Sequence, residues 1–286
     1  MQQFILQLMN SLAFAGVLFL LSAGFSLIFG LMRIPNLAHG AMFMLGAYVA
    51  LSVNRHTGSF ALAVVLSGLI VALLGAVMER FVLRRLAGNE NAQVVATLGI
   101  AFLIADIVLT LWGGDPQQVR APAMLRGSVD MFGSIFPLYR IAVIVLSFIA
   151  GVLLWLFVEK TRLGAMLRAS VDDPLMARGV GISVSRLFTL SFSLGALLAG
   201  IGGALAAPIL SAYAGLDADM LPLALVVVVL GGVGSLIGAV TGSLVIGIIY
   251  VFGQEYIPSL SYVIVFLPMV VVLALRPRGL FGRVAA

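Results

Sequence analysis

The sequence predicts an all-α, polytopic membrane protein of about eight to nine transmembrane helices, and three observations predict it. The chain of 286 residues is 62% hydrophobic and 9% charged, with a mean hydropathy of +1.21, whereas a soluble domain carries about 25% charged residues. The apolar residues come in long runs, at about 4–31, 37–53, 59–78, 94–112, 135–158, 187–210, 220–252 and 257–275. Glycine occurs 32 times, which suits helices that pack backbone to backbone inside a bilayer.

A helix needs about 20 residues, at roughly 1.5 Å each, to cross a hydrocarbon core of about 30 Å. The N-terminal MQQFILQLMNS has no basic segment before its apolar run, so the first span is expected to stay in the mature protein. The 220–252 run would measure about 50 Å as one helix, too long for a single pass. Its middle, Gly231-Gly232-Val233-Gly234-Ser235, is where it should break. It then makes two crossings, or one crossing plus a re-entrant segment.

Charge placement sets the threading. If the long run crosses twice, the tail arginines (Arg276, Arg278, Arg283), the polar stretch 159–186, the 79–93 loop and the Arg33 turn share one side. That side holds 12 of the 16 Lys and Arg residues, and the other holds Arg55, Arg120, Arg126 and Arg140. The positive-inside rule makes the first side cytoplasmic. The expected topology is an outside N-terminus, an inside C-terminus and about nine passes. The net charge of +5 reflects loop arginines facing membrane lipid, and no basic cluster interleaved with aromatics points to nucleic acid.

The longest polar interruption, Glu159 to Arg186, holds five basic residues (Lys160, Arg162, Arg168, Arg178, Arg186) and three acids. Asp172 and Asp173 before Pro174 supply the chemistry of a helix start. Gly179 and Gly181 supply left-handed positions that end a helix. The pattern predicts a short surface helix over about 174–178. The alternative is a solvated loop made basic only to fix topology. The outer loop 113–140 is rich in Gly and Pro and has room for a small ordered piece, either a docking surface or a plain connector.

Several chemistries are excluded. The only lysine, Lys160, follows Glu159, so no GxxxxGK[ST] phosphate cradle exists. If ATP drives this protein, another subunit hydrolyses it. The two histidines, His39 and His56, stand in no HExxH, and there is no GxSxG. No cysteine is present, which removes disulfides and thiolate metal sites. The sequence leads us to expect no catalytic residue, no metal and no cofactor.

The few polar groups within apolar runs are therefore informative. Asp106 sits mid-span in VVATLGIAFLIADIVLTLW. A charge at the bilayer centre costs about 3 kcal/mol on insertion scales, so this side chain should face protein or water. It is a pathway residue, an arginine's partner, or a neutral carboxyl hydrogen-bonded within the bundle. In RIPNLAHGAMFMLGAY, Pro35 breaks a helix, Asn36 can satisfy freed backbone groups, and His39 and Gly40 enter the next span. Irregular backbone at membrane depth is tolerated where it is buried or lines a cavity. Asn36, His39 and Gly40 are thus translocation-path candidates, the alternative being a structural kink.

The segments His39–Ala47 and Gly231–Ala239 also align, both carrying Gly-x5-Gly-Ala. Paired, glycine-interrupted segments are a pointer to a midplane site in repeat-built transporters. This places Gly232 beside Asp106 among the path candidates, and predicts discontinuous helices and a pseudo-repeat. A chance match of glycines is the alternative.

Three blocks carry a resemblance. Asn36-Leu37-Ala38-His39-Gly40 followed by Leu45-Gly46-Ala47-Tyr48 resembles the hallmark of permeases of branched-chain amino acid ABC importers. So does Arg168-Ala169-Ser170 leading through Asp172, Ala177 and Gly181-Ile182 to Phe192. The tail Arg276-Pro277-Arg278-Gly279-Leu280-Phe281-Gly282 is similar to the family's closing motif. The blocks span nearly the whole chain in the family's order, and the length is similar to that of the smaller, LivH-type subunit.

The resemblance implies one transmembrane permease domain over residues 1–286, with residues 159–186 as a cytoplasmic coupling loop. It implies ABC ATPase subunits, a second homologous permease and a periplasmic substrate-binding protein as partners, in a bacterial inner membrane. It also implies that a short helix at Asp172–Gly181 sits in a cleft of the ATPase. Arg168, Asp172, Asp173, Ala177, Arg178, Gly179 and Gly181 then form the coupling set. Alternatives are a permease for urea or short amides and an ion-coupled secondary carrier. The carrier would need a coupling-ion site in the membrane and no docking loop; an intramembrane enzyme lacks a nucleophile and base.

Overall fold

The computed structural model describes residues 2–32, 36–131 and 133–282. In chain order the helices are α1 (Gln2–Met32), α2 (His39–Thr57), α3 (Phe60–Phe81), α4 (Glu90–Trp112), α5 (Leu138–Lys160), α6 (Arg162–Asp172) and α7 (Pro174–Gly179). They continue with α8 (Val184–Leu210), α9 (Leu216–Gly231), α10 (Leu236–Tyr256), α11 (Ser261–Ile264) and α12 (Leu267–Leu275). A small antiparallel hairpin, β1 (Ser128–Met131) with β2 (Ser134–Pro137), occupies the 113–140 loop and pairs Val129 with Phe136. It is the small ordered piece for which that loop has room.

Among the described residues, seven segments are long and apolar enough to cross a membrane, the last running from Pro258 to Leu275 through a 3-10 turn, α11 and α12. The shorter α2 and α9, of 19 and 16 residues, complete the bundle. At about 1.5 Å per residue α9 is roughly 24 Å long, under the thickness of the hydrocarbon core. The long run does break where expected. Gly232 (φ 99) and Gly234 (φ 76) turn the chain, and the Ser235 side chain accepts from Gly238 N at 3.0 Å to open α10.

Helix starts elsewhere obey the same chemistry. Ser59 opens α3, Asn89 opens α4 and Thr161 opens α6, each accepting from a backbone N–H three residues on. Polar flanks extend several helices past the apolar runs: α4 begins at Glu90 and α5 ends at Lys160. Ile135, inside an expected span, lies instead in β2.

Burial sorts the helices into an axis and a ring. α1 is apolar on every side, and such a helix must be enclosed. In its most apolar stretch 83% of residues are buried, against 22% in α4 and 17% in α5. Leu18, Leu20, Leu21, Phe25 and Ile28 of α1 are fully covered, while Phe102 of α4 and Phe148 of α5 face outward. α8 is the second inner helix, and its glycines set the spacing. A Cβ on Gly24 would lie 2.4 Å from the Gly195 carbonyl oxygen, and one on Gly46 2.4 Å from that of Gly200. α1 and α2 thus pack backbone to backbone against α8, the close approach that small residues permit in membranes.

Contacts between distant residues divide the polar groups between two ends. One end joins Gln3 and Gln7 to Glu255 at 2.7 and 2.9 Å, Arg55 to Gln117 at 2.6 Å, and Trp112 to Ser52 at 2.7 Å. The other joins Arg84 to Glu79 at 2.8 Å and to the Ser185 carbonyl at 3.1 Å, and carries α6, α7 and the tail arginines Arg276 and Arg278. We call it the basic end. The tail itself caps α9: Leu280 N donates to Leu230 O at 2.9 Å and Phe281 N to Gly231 O at 3.0 Å. The closing motif therefore satisfies carbonyls that the end of α9 would leave bare.

Candidate functional site

At the basic end the chain between α5 and α8 is built as a bracket and a projecting knob. α6 is the bracket. Thr161 caps it, and Gly164 seats so closely on the last turn of α5 that a Cβ would lie 2.2 Å from the Val158 carbonyl oxygen. Arg168 folds back onto that same carbonyl and stands 3.4 Å from Glu159. Arg168, expected as a contact for a partner, holds α6 against α5.

α7 is the knob. Asp173 Oδ1 accepts from Leu175 N and Met176 N, both at 2.9 Å, and Pro174 occupies the first turn. The helix spans Pro174–Gly179, one residue beyond the expected end. Gly179 does not take a left-handed conformation; that expectation is corrected, since it closes the helix while Gly181 (φ 85) makes the turn. Ile182 N then donates to Ala177 O at 2.9 Å, the six-to-one bond that a left-handed residue at the preceding position allows.

Only Ala177 of this helix is buried. Leu175 is 78% exposed, Met176 69% and Val180 73%, with Asp172, Asp173 and Arg178 exposed beside them. Three large apolar side chains presented beyond the polar end of a membrane bundle are unfavourable in water, the mark of a surface made for contact with protein or membrane. Leu175, Met176 and Val180 are the residues that motif reading missed. Their signal was present as apolar letters inside an otherwise polar run.

Behind the knob, α8 is clamped to α3. Glu79, 2% exposed, holds Arg84 at 2.8 Å and accepts from Thr189 Oγ1 at 2.7 Å through the same oxygen. Arg84 also reaches the Ser185 carbonyl at 3.1 Å. The clamp sits on the first turns of α8, a few residues after α7.

The path candidates do not converge. Asn36 and His39 are fully buried where α2 begins. Asn36 Oδ1 accepts from Ala38 N at 3.1 Å, and Leu37 N donates to Thr97 Oγ1 at 3.3 Å, which satisfies backbone freed by the break. His39 Nε2 donates to the Leu21 carbonyl at 3.0 Å, with its ring 5.4 Å from that of Phe25. Gly40 lets α2 approach α9, since a Cβ would lie 2.7 Å from the Asp217 carbonyl oxygen. Residues 33–35, including Arg33 and Pro35, lie outside the described residues. Gly232 is at the basic end, against Gly282 of the tail. Both aligned glycine segments open a helix after a break, but only His39–Gly40 is packed in the bundle core.

Asp106 is elsewhere again. The side of α4 that carries Gln93, Thr97, Ala101, Ile104 and Val108 is buried. Asp106 points the other way, exposed in the same face as Phe102, Leu103 and Ile107. The expectation that it faces protein or water is not met within the single chain. An apolar groove of 420 Å3 between α5 and α10, floored by Gly16 and Phe19, carries no titratable side chain and offers nothing to a charged solute.

At the end opposite the basic one, Tyr213 donates to Asp219 Oδ2 at 2.6 Å and Tyr262 to the Asp219 carbonyl at 3.0 Å. Burial pushes the Tyr213 hydroxyl above its ordinary pKa, and the bond to Asp219 adds to the shift. Among the described residues no group of His, Asp or Glu is arranged to hold a metal ion.

The family model described as "Branched-chain amino acid transport system / permease component" matches residues 7–273. The high-affinity branched-chain amino acid transport system permease protein BraD of Pseudomonas aeruginosa is 27% identical over 300 residues, covering 97% of this chain and 95% of that one. LivH of Escherichia coli, of the same description, is 27% identical, covering 98% and 96%. LivM of Salmonella typhimurium, also a permease of such a system, is 27% identical over 291 residues, covering 91% of this chain and 67% of its own.

Proposed function

This chain belongs to the branched-chain amino acid transport system permease family, and from that premise we propose that it is the smaller permease of an ATP-driven importer. It carries branched-chain amino acids across the inner membrane of a bacterium toward the cytoplasm. It hydrolyses nothing itself: ABC ATPase subunits in the cytoplasm supply the energy, and a substrate-binding protein delivers the solute from outside. A longer homologous permease, of the kind LivM represents, forms the other half of the membrane part.

The observation that carries this reading is α7. A capped two-turn helix projects from the basic end and presents Leu175, Met176 and Val180 to water. An ion-coupled carrier has no use for such a knob. An ATPase cleft does, because the apolar triad seats in it while Asp172 and Arg178 flank the rim. The Glu79–Arg84–Thr189 clamp passes displacement of α7 to α3 as well as α8. The count of basic residues supports a cytoplasmic location for this end, with the N-terminus outside and the C-terminus inside. Asn36, His39, Gly40 and Gly232 are close-packed joints between elements of the bundle.

The test is purification of the tagged chain from native membranes in mild detergent, followed by identification of what accompanies it. An ABC ATPase, a second permease and a binding protein are expected; a chain that emerges alone contradicts the reading. Uptake of radiolabelled leucine against urea then separates branched-chain amino acids from the amide alternative.

A further inference from the structure

α4 carries a carboxylate at membrane depth that nothing in the described chain neutralises. Asp106 lies six residues before Trp112, or about 9 Å along the helix, and Trp112 is fixed at the end opposite the basic one by its 2.7 Å bond to Ser52. The carboxylate therefore stands within the apolar stretch of α4, between Leu103 and Trp112. Glu79 is answered by Arg84 and Thr189, Glu255 by Gln3 and Gln7, and Asp219 by Tyr213, whereas Asp217 and Glu90 stand in the first turns of their helices, α9 and α4. Asp106 makes no hydrogen bond or ion pair with any described residue, and it is exposed.

Its surroundings on α4 are not those of a purely lipid-facing helix. Along the exposed ridge run Gly99, Leu103, Asp106 and Thr110, with Phe102 and Ile107 alongside. A Cβ at Gly99 would meet nothing within 4 Å, so the ridge is notched. A carboxylate and a hydroxyl one turn apart, bordered by large apolar side chains, match an α-ammonium group attached to an aliphatic side chain. The transported solute is a zwitterion, and charge complementarity pairs its ammonium end, not its carboxylate, with Asp106.

Resting on the permease reading above, we infer that this face of α4 is one wall of the translocation path, closed by the second permease. Asp106 is the group that meets the ammonium of the passing amino acid, and Leu103 and Ile107 meet its branched side chain.

The experiment uses the whole transporter reconstituted in vesicles with its binding protein. Asp106→Asn and Asp106→Leu are expected to lower leucine uptake about tenfold or more, with unchanged complex yield, while Asp106→Glu stays within about threefold. The chain has no cysteine, so Thr110→Cys, with the partner subunits made cysteine-free, gives a second readout. It should react with a charged thiol reagent added outside, and leucine-loaded binding protein should change that rate. Normal uptake by Asp106→Leu overturns the inference, because the face then meets lipid. Loss of the second permease from the Asp106→Leu complex, with Thr110→Cys unreactive, also overturns it, because the face is then a dry subunit contact. Failure of the wild-type chain to co-purify with an ATPase is a separate result that removes the permease reading itself.

Discussion

The Glu79 carboxylate meets the Arg84 guanidinium at 2.8 Å, and the oxygen that makes this pair also accepts the Thr189 hydroxyl at 2.7 Å. One buried oxygen thus joins the end of α3, the turn after it and the second turn of α8. A buried carboxylate is tolerated only with partners of this kind, and removing one of them is costly.

Glu79→Gln keeps the shape and removes the charge. We predict a loss of about 2 kcal/mol, the worth of charge-assisted hydrogen bonds, read as a lower midpoint of thermal unfolding in detergent. Uptake should fall with it, since α8 is no longer tied to α3. An unchanged midpoint would show that the clamp contributes nothing.

Leu175→Ser with Met176→Ser should leave insertion and accumulation intact, because both side chains point away from the bundle. Uptake is expected to drop about tenfold or more, as for loss of apolar anchors at a protein interface. Weaker retention of the ATPase through size-exclusion chromatography is the accompanying sign. Full uptake at normal protein level would dismiss α7 as the docking element.

The two glycines that end this region should behave differently. Gly181→Val forces a β-branched residue to φ 85, which costs about 1–3 kcal/mol in local strain. It should distort the exit from α7 and abolish uptake. Gly179→Ala places a Cβ in open space within a helix and should be silent in the same uptake assay. Equal effects would contradict the assignment of the turn to Gly181.

For His39 the burial and the bond to Leu21 predict a packing role. His39→Leu removes a buried donor and should cost about 1–2 kcal/mol in thermal stability, with little change in the KM for leucine uptake. A shifted KM at unchanged stability would return His39 to the transport path.

Much of the architecture was legible in the letters because a bilayer imposes it. Apolar length locates the slab, which is why the break at Gly232 and the capping of α7 by Asp173 were readable. Helix ends were less so: Glu90 and Lys160 remain helical beyond the apolar runs, because backbone hydrogen bonds continue where hydrophobicity stops. α6 escaped notice because its surface role gives it polar letters. The orientation of Asp106 was not readable either. Sequence fixes its depth, but its facing depends on which side of α4 packs against α2. The exposed triad was hidden for the opposite reason, since Leu175, Met176 and Val180 look like core residues until the structure places them on the surface.

The central claim is that α7 projects into the cytoplasm and is covered there by the ATPase. In a chain free of cysteine, Met176→Cys can be labelled with a membrane-impermeant maleimide. Labelling is predicted in inside-out vesicles stripped of the ATPase, with protection when the ATPase is restored. Labelling of intact cells or right-side-out vesicles would put α7 on the wrong side of the membrane and contradict the account.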